Sequence, residues 1–302
     1  MTSTVLVTGA TGFIGRALIA ALRQRGDRII ALTRNHARAT RLLGGDILVC
    51  TDLDSIAASE PIDIVVNLAG EPLIGGLWTA ARRRRFIDSR VATTTAVLQL
   101  LGRLQRPPSV LINGSAVGFY GDGGETVLTE ASEAQPIFIS EICRKWEARA
   151  QAARNLGIRV VRLRTGLVLD LDGGALPPLL MTTRLGFGTI LGSGRQFLSW
   201  IHRRDLVRMI LFAIDNSQVE GPINGVAPVP VRYRDFMKSL GKALGRPVFL
   251  RVPAFILRLA LGGLADLFLI SQQVQPEKPL ALGFSYDFPT LEAALQEIVS
   301  RA

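Results

Sequence analysis

The sequence predicts an α/β protein, a doubly wound parallel sheet followed by a smaller C-terminal lobe. Three observations carry that expectation. Apolar runs of strand length alternate with amphipathic helical stretches through the first half of the chain, and the first of these runs breaks into a three-glycine turn. After Thr165 the texture changes to glycine- and proline-rich segments. At 302 residues, 48% of them hydrophobic, the chain can bury a large core and is not disordered. Its two cysteines, Cys50 and Cys143, have neither metal-ligand spacing nor a disulfide framework, and no charged-then-apolar leader precedes Val5. The expected location is a reducing cytoplasm.

The run Val5-Leu6-Val7-Thr8 reads as a buried strand, and Gly9-Ala10-Thr11-Gly12-Phe13-Ile14-Gly15 as a phosphate loop opening a helix. This is a Rossmann-type beginning. The first glycine permits a tight turn, the second lets backbone approach a pyrophosphate, and the third lets helix and strand pack closely. Phe13, Ile14, Ala17, Leu18, Ala21 and Leu22 keep a helical period up to Gly26, a C-terminal stop. Helix amides left unpaired at such a turn favour an anion.

A second strand, Arg28 to Thr33, ends where a ribose-contacting residue is expected, and that place holds Thr33-Arg34-Asn35-His36 with no carboxylate. A guanidinium pairs with a 2′-phosphate where an acid would repel it, so Arg34 points to NADP rather than NAD. A third strand, Asp46 to Cys50, leads to Asp52, which either meets the adenine edge or caps the next helix. A fourth, Ile62 to Leu68, ends in Ala69-Gly70-Glu71-Pro72, small residues against which a flat cofactor can lie. A long helix is predicted from Trp78 to about Leu104, stopped by Pro107-Pro108. It carries the basic run Arg82 to Arg85, whose plainer reading is a solvated face, and Arg90, which is in reach of a pyrophosphate.

Ser109 to Ser115 gives a fifth strand, Ile137 to Asn155 a helix, and Gly157 to Arg164 a sixth strand. The predicted organisation is an NADP-binding domain over residues 1–165, to which 201–226 returns, and a substrate or lid lobe from 166–200 and 227–302. The stretch Phe255 to Ile270 is apolar, but Arg258, Gly262, Gly263 and Asp266 interrupt it and it is short for a membrane span. A buried or dimer-facing helix is expected there, and no membrane partner. The formal charge of +10 suits an anionic cofactor or substrate; no nucleic-acid recognition motif accompanies it. A homodimer would pair the Trp78 to Leu104 helix with its copy across a two-fold axis.

Thr8 to Gly15, Asn67-Leu68-Ala69-Gly70 and Tyr120-Gly121 together resemble the extended short-chain dehydrogenase/reductase superfamily. A narrower likeness, to its atypical "epimerase family" branch, covers nearly the whole chain. It rests on Ala69-Gly70-Glu71-Pro72, Trp78-Thr79 with Asp88-Ser89-Arg90, Ser115 to Gly121, Arg164 to Leu169, Gly192 to Gln196, Ser199-Trp200-Ile201-His202 and Ser271-Gln272-Gln273-Val274. Members are usually labelled NAD-dependent or nucleotide-sugar epimerases with a C-terminal domain of unknown function. The resemblance implies NADP(H) held by Gly9, Thr11, Gly12, Phe13, Ile14, Gly15, Thr33, Arg34, Leu68, Ala69, Gly70, the helix turn from Arg85 to Arg90, and Val168.

The superfamily's proton shuttle needs Tyr-x-x-x-Lys, the lysine one helical turn on lowering the phenol's pKa. The only tyrosines are Tyr120, Tyr233 and Tyr286, followed four residues later by Gly124, Met237 and Thr290, so the pair is absent. Aligned by Trp146-Glu147, its places fall at Ile139 and Cys143. The expected reaction is therefore an NADP-dependent reduction or epimerisation of a small molecule with a substitute donor. Ser115, donating to a substrate oxygen, and Tyr120, as acid, are the catalytic candidates. Glu71 and His202 are the next nearest, each better read as structural. An NADP-sensing regulatory module is the alternative, and a nucleic-acid binder driven by net charge is the third reading.

Overall fold

The computed structural model describes residues 2–302. Seven strands form one wholly parallel sheet: β1 (Thr4–Thr8), β2 (Arg28–Leu32), β3 (Leu48–Cys50), β4 (Ile64–Asn67), β5 (Val110–Ala116), β6 (Arg159–Thr165) and β7 (Gly221–Gly225). Their order is β7-β6-β5-β4-β1-β2-β3. The order reverses between β1 and β4, which run side by side from opposite halves of the winding. In open parallel sheets the crevice beyond that reversal is where ligands bind. The central strands are apolar on both faces because helices cover both, as the unbroken runs Val5-Leu6-Val7 and Ile64-Val65-Val66 require.

On one face α1 (Phe13–Gln24) packs with α5 (Arg203–Asp215), joining Leu18, Ile19 and Leu22 to Leu206, Met209 and Ile210 over Val5, Val7 and Ile112. On the other, α3 (Ala80–Arg103) and α4 (Phe138–Gln151) cover Leu6, Val65 and Leu111. The expected helix to Asn155 ends at Gln151 and tightens into a 3-10 turn, Ala152–Leu156, before Gly157 turns the chain with φ +75°. The short α2 (His36–Leu43) starts at Asn35, whose side chain accepts from the Arg38 amide. Asp52 likewise caps the 3-10 turn Leu53–Ser55, accepting from the Asp54 amide at 3.0 Å.

The strand β7 and helix α5 belong to the sheet unit by their packing, although they follow Thr165 in sequence. The remaining late segments build a separate core. It consists of the helices Leu176–Arg184, Tyr233–Ala243 and Leu291–Ser300 around Trp200, Phe236 and Leu240. Short paired strands, Leu167–Leu169 with Trp200–His202 and Thr189–Leu191 with Leu250–Val252, tie this lobe together. The Phe255 to Ile270 stretch is not one helix, and it is only partly buried. It divides into the helix Ala254–Leu261, a 3-10 turn and a last short turn, Asp266–Leu269, with Leu257, Leu264 and Ala265 its buried residues. Among the described residues no helix is long and apolar enough to cross a membrane.

Candidate functional site

The glycine turn is built from backbone contacts that leave no room for side chains. Gly9 stands at φ +70°, and a Cβ there would lie 2.9 Å from the Leu68 carbonyl carbon. A Cβ on Gly15 would overlap the Gly9 carbonyl oxygen, and one on Gly12 would come to 3.0 Å of it. Gly12 is the N-cap of α1 without a side-chain cap, and the first turn of α1 has no acidic residue. The amides of Phe13, Ile14 and Gly15 therefore face the crevice with the positive end of the helix behind them, an arrangement suited to a diphosphate.

The neighbouring strand end is held by a buried polar chain. Thr8 Oγ1 donates to Asn67 Oδ1 at 2.6 Å and accepts from the Ala69 amide at 3.2 Å. Asn67 Nδ2 in turn donates to Thr94 Oγ1 at 2.9 Å and Asn113 Oδ1 at 2.7 Å. With every member satisfied, this chain fixes the Leu68-Ala69-Gly70 turn beside the glycine loop. Arg90 reaches from α3 to the same turn. Its Nη1 donates to the Glu71 and Phe86 carbonyls, its guanidinium lies 5.1 Å from the Trp146 ring centroid, and Gly70 leaves space for it. Burial lowers its pKa.

Thr33 and Arg34 follow β2 on the far side of the crevice. Arg34 is exposed, and its guanidinium enters no hydrogen bond or ion pair among the described residues. On the near side Gly173 and Gly174 close against the Phe13 ring, and Gly174 also meets the Val168 carbonyl. Arg203 holds this segment through Asp170 at 2.9 Å and Asp172 at 2.8 Å while its guanidinium lies over Phe13. The structure thus gathers the glycine loop, Leu68 to Gly70, Arg90 and Val168 about one crevice, with Arg34 at its β2 end. Arg85 is exposed on α3. In the basic run, Arg82 donates to the Ile74 carbonyl at 3.1 Å and Arg83 lies over Phe138, while Arg84 and Arg85 face solvent.

The corner beyond β5 is built differently. Ser115 is buried, and its Oγ donates to Glu147 Oε1 at 2.7 Å. Glu147, also buried, receives Arg164 Nε at 2.9 Å, Arg164 Nη2 at 3.0 Å and Arg162 Nη1 at 3.2 Å. Sequence reasoning used Glu147 and Arg164 as motif landmarks and missed that they join Arg162 in one buried ion-pair cluster. Their signal was a charged residue on the buried face of a helix and two arginines alternating with Val161 and Leu163 on a central strand. With its proton directed at Glu147, the Ser115 hydroxyl is engaged within the protein.

Tyr120 is engaged within the protein as well. The 3-10 turn Val117–Tyr120 buries its ring completely, and its hydroxyl donates to Asn224 Oδ1 at 2.6 Å and accepts from Arg164 Nη1 at 3.0 Å. Burial pushes its pKa up to about 12 against the pull of Arg164. A phenol so enclosed links β7 to β6. Ile139 and Cys143, in the places of the superfamily's tyrosine and lysine, are buried on α4 beneath Gly118, and burial pushes the Cys143 thiol up to about 11.

His202 is a structural residue. Its Nδ1 accepts from the Arg204 amide at 3.1 Å, capping α5, and its Nε2 donates to Glu297 at 3.1 Å, a tautomer assigned from these partners. Burial lowers its pKa. Glu71 is partly exposed and anchors its loop through the backbone, its amide donating to Ser89 Oγ at 3.1 Å and its carbonyl accepting from Arg90. No cluster of three or more potential metal ligands occurs among the described residues.

Comparison with known proteins agrees with this geometry. Residues 5–224 match the model of the NAD dependent epimerase/dehydratase family, and 252–298 match a domain of unknown function, DUF1731. An Arabidopsis thaliana protein named "Epimerase family protein SDR39U1 homolog, chloroplastic" is 37% identical over 98% of this chain and 86% of its own. The Bacillus subtilis epimerase family protein YfhF is 35% identical, with 98% of each chain covered. Among solved structures, human epimerase family protein SDR39U1, crystallised with NADPH, superposes with TM-score 0.89 at 33% identity over 99% of this chain and all of that one. The chain belongs to the NAD dependent epimerase/dehydratase family.

Proposed function

We propose that this protein is an NADP(H)-dependent oxidoreductase of the atypical short-chain type, a reductase or epimerase that works without a tyrosine–lysine pair. One observation carries the reading: the crevice beside β1 has unpaired helix amides and glycines at every close approach, while Arg34 stands unpaired at the ribose end. The relative crystallised with NADPH supports the same coenzyme. The loop amides and Gly12 would hold the diphosphate, Arg34 the 2′-phosphate, Leu68 to Gly70 and Val168 the flanks of the nicotinamide half, and Arg90 or Arg85 would add positive charge. When bound, the coenzyme supplies or takes a hydride at a substrate carbon. Ser115, its proton turned to Glu147, accepts a hydrogen bond from a substrate hydroxyl and orients it; Glu147 is the positioning residue behind it. When a carbonyl is reduced, the proton its oxygen takes up would come from solvent, and when a hydroxyl is oxidised its proton would leave to solvent.

A second reading is favoured by Ile139, Cys143 and the enclosed Tyr120: a coenzyme-sensing protein without turnover. Incubating the protein with 4-deuterated NADPH and a panel of alcohol and carbonyl pairs separates the two. Deuterium transfer to any member, diminished by Ser115→Ala, is the expected result. Tight NADPH binding with no transfer across the panel supports the sensor and overturns the oxidoreductase.

A further inference from the structure

The Phe255 to Ile270 stretch carries a large apolar surface. Its first helix, Ala254–Leu261, buries Leu257, packs Leu261 against the cluster of Trp78, Phe86, Ile139 and Leu264, and leaves Phe255 70% and Leu259 87% exposed, with Ile256 and Arg258 exposed beside them. Spacings of three and four residues place Phe255, Ile256 and Leu259 on one side of the helix. The strand that precedes it pairs Leu250 with Thr189, so two more exposed aromatics, Phe249 and Phe187, stand where these strands begin. Single exposed apolar residues are ordinary; several gathered on one element mark a contact surface.

Charge indicates what covers it. From Phe236 to Ala265, a stretch bounded by Asp235 and Asp266, the charged residues are Lys238, Lys242, Arg246, Arg251 and Arg258, all exposed and all basic. Between Gly173 and Arg204, which supply the partner strand, there is no acidic residue. A second copy docked on this face would bring Arg251 and Arg258 against their own images, and like charges would oppose the contact. An anionic lipid surface answers both features, taking the apolar side chains into the acyl boundary and the guanidiniums among the headgroups. The helix is about 12 Å long against a hydrocarbon core of about 30 Å, so it lies in the interface and does not span.

We propose that the C-terminal lobe docks on anionic lipid bilayers through the Ala254–Leu261 helix, with Phe249 and Phe187 beside it and Arg251 and Arg258 supplying charge. The test is flotation of the full chain with vesicles of phosphatidylglycerol and phosphatidylcholine. Binding is expected to fall roughly ten-fold on pure phosphatidylcholine, at high salt, and in each of the doubles Phe255→Ser/Leu259→Ser and Arg251→Glu/Arg258→Glu. The variants are expected to keep the wild-type melting temperature and coenzyme affinity, because all four residues are exposed. As a second readout that preserves the surface, emission from the Phe255→Trp variant should shift to the blue when phosphatidylglycerol vesicles are added. Wild-type protein that does not float, or emission from that variant that does not change, overturns the proposal. So does a dimer in sedimentation velocity that the apolar double converts to monomer without any vesicle binding.

Discussion

Two corners of the same sheet edge, one at β1 and β2 and the other at β5 and β6, handle their polar groups in opposite ways. At the first, the helix amides and Arg34 are unpaired, and the close approaches are made by glycines. At the second, the polar groups are committed to one another: Ser115 to Glu147, Glu147 to Arg162 and Arg164, Arg164 to Tyr120, and Tyr120 to Asn224. The first corner is arranged for a ligand. The second is a buried lock, closed on its own side chains. One sheet edge thus holds a corner left open and a corner closed on itself.

Breaking the lock should have the largest effect. Glu147→Leu leaves two largely buried guanidiniums without a counter-charge and is expected to lower unfolding free energy by about 3–5 kcal/mol in urea titrations. A loss under about 1 kcal/mol would mean that the ion pairs contribute little. At the open corner, Arg34→Ala is expected to weaken NADPH by about 2 kcal/mol, roughly thirty-fold, and to leave NADH unchanged. Equal losses for both coenzymes would remove the 2′-phosphate contact from the account. Tyr120→Phe leaves Asn224 Oδ1 without its donor and should reduce stability by about 1–2 kcal/mol, with coenzyme affinity intact. Unchanged stability with abolished turnover would return Tyr120 to the role of acid.

The smallest effect concerns pH. His202 has a folded pKa below its unfolded value because burial disfavours the imidazolium and Nδ1 is occupied as an acceptor. The unfolded chain then binds the extra proton first, so stability is full above about pH 6.5 and declines as pH falls through that value toward the folded pKa. His202→Gln should flatten this part of the melting-temperature profile. A slope unchanged from wild type would assign it to other groups.

The glycine loop was legible in the sequence because its demands are local: φ +70° at Gly9 and contacts within a few residues or one strand away. The alternation of strand and helix set the sheet for the same reason, and strand ends such as Asp46 to Cys50 shortened only where pairing with β2 stops at Leu48. Tyr120 was not legible, since its enclosure depends on Arg164 and Asn224, 44 and 104 residues away. Ser115 sits where expected, but the direction of its proton is set by Glu147, 32 residues on. The Ala254–Leu261 helix was legible only as an apolar element to be covered, by the chain or by a second copy. Apolar composition argues for burial, yet which face is covered depends on how the lobe packs, and here the covering stops at Leu257 and Leu261.

Calorimetric titration of the wild-type protein with NADPH and with NADH tests the central claim most directly. The account predicts one NADPH per chain, bound at least about ten-fold more tightly than NADH, a difference of about 1.4 kcal/mol. NADH bound as tightly as NADPH, or no heat from either coenzyme, would contradict it.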